Sequence, residues 1–195
     1  MNFRHCLRLA VCAILAVAGQ ASATGPVWHV NSLKAKVIVN SDASLSVDET
    51  LIIPESPDPN FGLRCEIPIG DDDRWDREFG PGYTEDNGLR LKIQRVAVDG
   101  VPAEYRLDHS LHHFYQVIVG RGNRWTSFGP GAHELNVVYQ VTGAVRAVSA
   151  DDELYWNVAR HSLPIAYDSV NVRVDLPDGA GATRYRSLRM KAGVG

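Results

Sequence analysis

The chain has 195 residues, 45% of them apolar and 22% charged, with 17 Gly, 10 Pro and a formal net charge of −3. That balance belongs to an ordinary globular domain and excludes a collagen-like, coiled-coil, wholly disordered or polytopic membrane chain. The 20 Lys and Arg are outnumbered by 23 Asp and Glu with no clustered basic face, which excludes a nucleic-acid partner as well.

At the start of the chain, Arg4 and Arg8 precede the apolar run 9–18, and Ala21, Ser22 and Ala23 offer small residues where a signal peptidase cuts. The pattern predicts a secretory signal peptide over residues 1–23, cleaved before Thr24. The run has 10 residues, whereas a helix crossing ~30 Å of hydrocarbon takes roughly 18 or more, so no transmembrane segment is expected in the mature, exported chain. Lipid attachment at Cys12 is disfavoured because Val11 stands where a small residue is wanted. Cleavage removes Arg4 and Arg8 and no acid, leaving 18 cations against 23 acids, a net charge of −5, in 172 residues. That length suits a single domain. Cys6 and Cys12 leave with the leader, so Cys65 has no internal disulfide partner, and a buried, inert thiol is expected there.

From residue 24 onward no window places apolar residues at helical spacing over three turns, while several alternate with period two and are rich in Val, Ile and Tyr. Leu33, Ala35, Val37 and Val39 lie on one parity, residues 40–44 are polar, and residues 45–53 follow, which predicts an opening hairpin. Leu91 and Ile93 lie on one parity and Val96 and Val98 on the other, so a bulge is expected near Gln94 or Arg95. Asp99-Gly100 then predicts a tight turn, returning Val101, Ala103, Tyr105 and Leu107 along the same sheet. Residues 114–119 are apolar on both parities, as in a central strand covered on two faces. Leu135, Val137, Tyr139 and Val141 predict the next strand, and Leu154, Trp156 and Val158 a short one. Val170, Val172, Val174 and Leu176 predict a last strand with one buried face. The reading is all-β: a two-layer antiparallel β-sandwich of about nine short strands over residues 24–178. Residues 179–195 carry Arg184, Arg186, Arg189 and Lys191 and no acid, and are expected to be a disordered basic tail.

Asp152, Glu153, Leu154, Tyr155, Trp156 and Asn157, followed by Leu163-Pro164-Ile165 and the strand 170–177, form an unusual combination. Together with Asp48-Glu49-Thr50, Glu66-Ile67-Pro68, the Asp99-Gly100 turn, and Gly131 and His133 ahead of Tyr139, it resembles the family called domain of unknown function 2207, predicted membrane proteins of bacteria and archaea. The resemblance implies an extracytoplasmic, sandwich-like domain at the membrane and carries no particular activity with it. Relatives usually continue into further β-structure and membrane helices, whereas no apolar stretch follows Leu176 here. A shortened soluble relative and a fragment of a larger membrane protein are both open. Cys65 stands where relatives tend to have Arg, which puts a charge role at that position in doubt.

Residues 69–88 lack strand alternation for longer than a compact domain usually leaves a loop structureless. Asp71, Asp72, Asp73, Asp76 and Glu78 are hard oxygen donors there, and Trp75, Phe79 and Tyr83 can offer flat apolar faces. This is the candidate ligand-binding loop, with calcium or a sugar as natural ligands, although the spacing departs from the EF-hand pattern. A solvated acidic loop is the plainer alternative. His109, His112 and His113 precede a strand whose alternation would point the last two to opposite faces, against a shared metal. His133-Glu134 lacks the second His of a zinc-protease motif, and no serine sits in a nucleophile elbow. In 152–157, Leu154 and Trp156 share a parity with Val158 and are expected in the core, with Glu153, Tyr155 and Asn157 facing the other way; that face can bind a peptide or glycan, but a structural role holding a neighbouring loop is the preferred reading. No cofactor is expected, and metal use stays open. The expected function is a non-catalytic envelope module recognising a partner protein or a glycan. The alternative is an envelope hydrolase built from the acidic loop and the 109–113 histidines.

Overall fold

Every regular element among the described residues is a strand, as the period-two alternation requires. The computed structural model describes residues 10–15, 28–54, 63–68, 89–108, 114–119, 130–148, 151–154, 156, 158, 165–180 and 184–189. The strands are β1 (Ala10–Leu15), β2 (Trp28–Val39), β3 (Leu45–Ile53), β4 (Arg64–Pro68), β5 (Arg90–Val98), β6 (Val101–Pro102), β7 (Tyr105–Asp108), β8 (Phe114–Val119), β9 (His133–Thr142), β10 (Val145–Val148), β11 (Asp151–Leu154), β12 (Ile165–Asp175) and β13 (Arg184–Arg189). A six-stranded sheet in the order β12-β2-β3-β9-β5-β6 and a three-stranded sheet in the order β4-β8-β7 form the two layers of the expected sandwich. Leu33, Val37, Leu45, Val47, Leu135 and Val137 from the first sheet share one buried core with Cys65, Ile67, Val117 and Val119 from the second.

The opening hairpin forms as expected, with β2 and β3 antiparallel from Val39↔Leu45 to Ser32↔Ile52. Its turn is closed by the amide of Asn40 donating to the carbonyl of Ser44 at 2.8 Å, and Asp42 Oδ1 accepts both the amide and the hydroxyl of Ser44. The expected bulge appears as a register shift between Ile93 and Arg95 where β5 pairs with β9. Strand β8 is the middle strand of its sheet and is buried on both parities from Gln116 to Val119.

Three expectations are corrected. Asp99 and Gly100 do make the tight turn, with φ of 51° and 77°, but the return strand β6 is short, pairing through Ala97↔Pro102 and Val98↔Val101 with one further bond from the Ala103 amide to the Val96 carbonyl. Pro102 has no N–H to extend a ladder and sits on the sheet edge, where that is tolerated. The chain then crosses to the other layer, where β7 pairs with β8. Second, the sandwich is not wholly antiparallel: β12 runs parallel to β2 from Ile165↔Trp28 to Asp175↔Ile38. β9 also runs in the direction of β2, so the chain must recross the sheet between β9 and β12, a connection no tight turn could make. As an edge strand β12 keeps Val170, Val172 and Val174 only partly covered. Third, the short strand ends at Leu154; Trp156 and Val158 are buried as expected, at 5% and 7% exposure, but lie beyond it.

Outside the sandwich, β10 and β11 form an antiparallel ribbon, and β1 pairs parallel with β13 from Ala10↔Arg184 to Leu15↔Arg189. That second ribbon joins a piece of the expected leader to a piece of the expected tail, so it exists only while residues 1–23 are attached.

Candidate functional site

On the inward face of β3 the side chains run Leu45, Val47, Glu49, Leu51, Ile53, and all five are buried. An acid thus occupies a core position between four apolar neighbours. Glu49 is 3% exposed, and it is held from both layers. Tyr139, on β9, lies two residues from Val137, the register partner of Glu49, and its hydroxyl donates to Glu49 Oε1 at 2.5 Å. Cys65, on β4 of the opposing sheet, offers its thiol to Oε2 at 3.6 Å, within sulfur hydrogen-bond range. The Trp156 ring packs beside Tyr139, with centroids 6.2 Å apart and planes inclined by 49°. Its indole nitrogen is buried with no hydrogen-bond partner among the described residues, and its N–H opposes the rise in the Tyr139 pKa.

Burial dominates the electrostatics. It pushes the Glu49 carboxyl up to about 7, against the lowering effect of the Tyr139 and Cys65 hydrogen bonds and with a small further push from the charge on Asp48. Desolvation, and then the neighbouring Glu49 charge, hold the Cys65 thiol and the Tyr139 phenol well above their ordinary ranges. Both groups therefore stay protonated donors. A thiol without thiolate character is a poor nucleophile and a poor metal ligand.

The other face of β4 carries a second buried acid. Glu66 is 3% exposed, pairs in register with Gln116 of β8, accepts the Gln116 amide at 2.7 Å and has the Arg64 guanidinium 3.7 Å away. The two acids are thus handled differently: Glu66 faces a cation, and Glu49 faces two neutral donors.

The acidic and aromatic loop residues Asp71, Asp72, Asp73, Trp75, Asp76, Glu78 and Tyr83 lie outside the described residues, as do His109, His112 and His113. In the 152–157 motif, Asp152 is half-buried in β11, Leu154 and Trp156 are core residues, the backbone of Glu153 belongs to β11, and Tyr155 and Asn157 lie outside the described residues. His133 engages the Asp99-Gly100 turn. Its Nδ1 meets Asp99 Oδ2 at 2.8 Å, and the Glu134 amide donates to Asp99 Oδ1 at 2.9 Å, which ties β9 to the Asp99-Gly100 turn. Among the described residues no group of three His, Cys, Asp or Glu is placed to hold a metal, and no helix is long and apolar enough to cross a membrane. Glu49 belongs to no catalytic or metal-binding motif. Its signal in the sequence is an acid on the apolar parity of a strand.

The family model for the N-terminal domain of a predicted membrane protein, DUF2207, matches residues 29–191. No functionally curated protein matches the chain. Among solved structures, leukotriene A4 hydrolase from Saccharomyces cerevisiae is similar at 12% identity with a TM-score of 0.38, over 58% of this chain and 15% of that one. An M1 zinc metallopeptidase from Deinococcus radiodurans is similar at 15% identity and a TM-score of 0.29, over 60% of this chain and 20% of that one. A putative protease from Parabacteroides distasonis gives 11% identity and a TM-score of 0.31, over 62% and 24%. The chain spans less than a quarter of each of these proteins, and likeness at this level says nothing about activity.

Proposed function

The chain belongs to the DUF2207 family of predicted membrane proteins, by its N-terminal domain, and from that premise we propose that it is an exported, non-catalytic β-sandwich module that recognises a partner protein or a glycan in the cell envelope. The observation that carries this reading is the position of the described reactive groups. Glu49, Cys65 and Tyr139 are 3%, 1% and 0% exposed, so the cluster best equipped for proton or thiol chemistry is closed to a substrate. Catalysis needs a group within hydrogen-bond reach of the reacting atoms; recognition needs only an exposed, well-supported surface. The acidic and aromatic loop 69–88 supplies the recognition residues, with Trp75 and Tyr83 as flat faces for a sugar ring or an apolar side chain and Asp71, Asp72, Asp73, Asp76 and Glu78 as polar contacts.

The test uses the exported chain against soluble cell-wall glycan fragments and envelope protein extracts, alongside ester, amide and glycoside substrates. Saturable glycan or protein binding that is lost on joint Trp75→Ala and Tyr83→Ala substitution, with no turnover, is the expected result. Turnover that disappears on Asp76→Asn or His113→Ala would replace the module with an envelope hydrolase.

A further inference from the structure

The six-stranded sheet ends in a long edge strand. β12 runs beside β2 from Ile165 to Asp175 without a shift in register, and it has no second strand partner among the described residues. Residues 165–175 contain no proline and no lysine, two of the common devices that keep such an edge from pairing with another chain. We propose that β12 is a dimerisation strand, which pairs antiparallel with β12 of a second copy of this chain about a twofold axis at Val174.

The occupant follows from the strand's own alternation. Two copies of one strand, paired antiparallel about a twofold axis, always set residues of like parity opposite each other. Val170, Val172 and Val174 are in register with the core residues Leu33, Ala35 and Val37, yet they stay only partly covered. A second copy extends this apolar row and covers it further. On the other face Asn171 and Arg173 are exposed, and Asp175 is partly so.

Charge then selects the register. An axis at Arg173 sets guanidinium against guanidinium, and like charges directly opposite are destabilising. An axis at Val172 leaves Arg173 opposite Asn171 and Asp175 opposite Ser169. An axis at Val174 sets Arg173 of each copy opposite Asp175 of the other, with Val174 on Val174 and Val172 on the partly buried Leu176. Within one chain Arg173 Nε already donates to Asp175 Oδ1 at 2.7 Å, and Lys36 Nζ lies 3.6 Å from Asp175 Oδ2. The Arg173 side chain is still 72% exposed, and a guanidinium has five N–H donors in all, which leaves it donors for a second carboxylate. In this arrangement the six-stranded sheets of the two copies run on as one, and the loop 69–88 takes no part in it.

The experiment is sedimentation velocity of the full chain over a concentration series reaching the millimolar range, for the native protein, Arg173→Asp and Asp175→Arg. The native chain is expected to pass from monomer to dimer. Each reversal sets like charges opposite each other twice in the dimer and should weaken dimerisation by roughly tenfold or more. The first variant carries only acids at these two positions and the second only cations, so a mixture of the two should recover a dimer that neither forms alone at the same concentration. Mixing leaves the charges within each chain unchanged, so the recovery reports the contact between copies. A native chain that stays monomeric throughout, a dimer indifferent to both reversals, or a loss that mixing does not restore would each overturn the pairing. Should either variant fail to fold, hydrogen exchange of the native chain decides. Amides in 171–176 should gain protection as the concentration rises, and protection independent of concentration overturns the proposal.

Discussion

A carboxyl group in a hydrophobic core owes its behaviour to its hydrogen-bond donors, and Glu49 has two that can be removed separately. Tyr139→Phe keeps the ring and its packing but withdraws the donor from Glu49 Oε1. Leaving a buried acceptor unsatisfied costs about 1–3 kcal/mol, and the variant should lose that much in urea unfolding at acid pH. In the folded chain that carboxyl is raised to about 7, so what it contributes to stability is full below the ordinary carboxylate value and lost as the pH rises through the raised one. The same bond lowers the Glu49 pKa, so its loss should also shift this window upward. A variant destabilised equally at every pH would show that the hydroxyl does not bias the ionisation of Glu49. The two partners differ in how far they were legible. Glu49 and Tyr139 each sit on the apolar parity of their strands, a pattern visible in the residues themselves. That they touch depends on the register of β3 against β9, 90 residues apart along the chain, which no local pattern contains. Cys65 was expected to be buried and inert, and it is buried, at 1% exposure.

Elements built from neighbouring residues follow from local chemistry, and the Asp99-Gly100 turn shows how. Gly100 has a φ of +77°, and a Cβ placed there would meet nothing within 4 Å. Gly100→Ala should therefore cost only the left-handed backbone penalty, about 1 kcal/mol, in denaturant unfolding; a much larger loss would mean that the turn is packed against something else. Asp99 adds a pH dependence of its own. The His133 hydrogen bond, followed by the Glu134 amide, holds its carboxyl below the usual range. What it contributes to the hairpin is present above the ordinary carboxylate value and lost as the pH falls through the lowered one. Hydrogen exchange, corrected for its intrinsic pH dependence, should accordingly find the Glu134 amide less protected in acid, and unchanged protection would remove the carboxylate from the account. The hairpin β2–β3, the bulge in β5 and this turn were all readable because their determinants lie within a few residues. The crossing from β6 to β7 and the parallel placement of β12 were not, since a sheet edge and a crossover are decided by partners distant in sequence.

Two sheets that share one core should unfold as one unit, and all nine of their strands lie within residues 28–175. The β1–β13 ribbon belongs to neither sheet: β13 has β1 as its only strand partner among the described residues, β1 lies against β11, which gives Leu154 to the core, and β1 falls within the segment that the Arg4–Arg8 and Ala21–Ala23 pattern predicts to be removed. Chains of 1–195 and 24–195 should therefore show the same single transition in far- and near-ultraviolet circular dichroism, with matching midpoints. They should differ at residues 184–189, where amides protected by the ribbon in the longer chain exchange freely in the shorter one. A fall in midpoint, or a broad, probe-dependent transition in 24–195, would mean instead that the ribbon braces the sandwich. In that case export and stability would be opposed in this chain, because cleavage would remove a strand the fold uses. Matching midpoints would leave the sandwich self-sufficient after cleavage, with the basic segment around Arg184, Arg186 and Arg189 released from its partner.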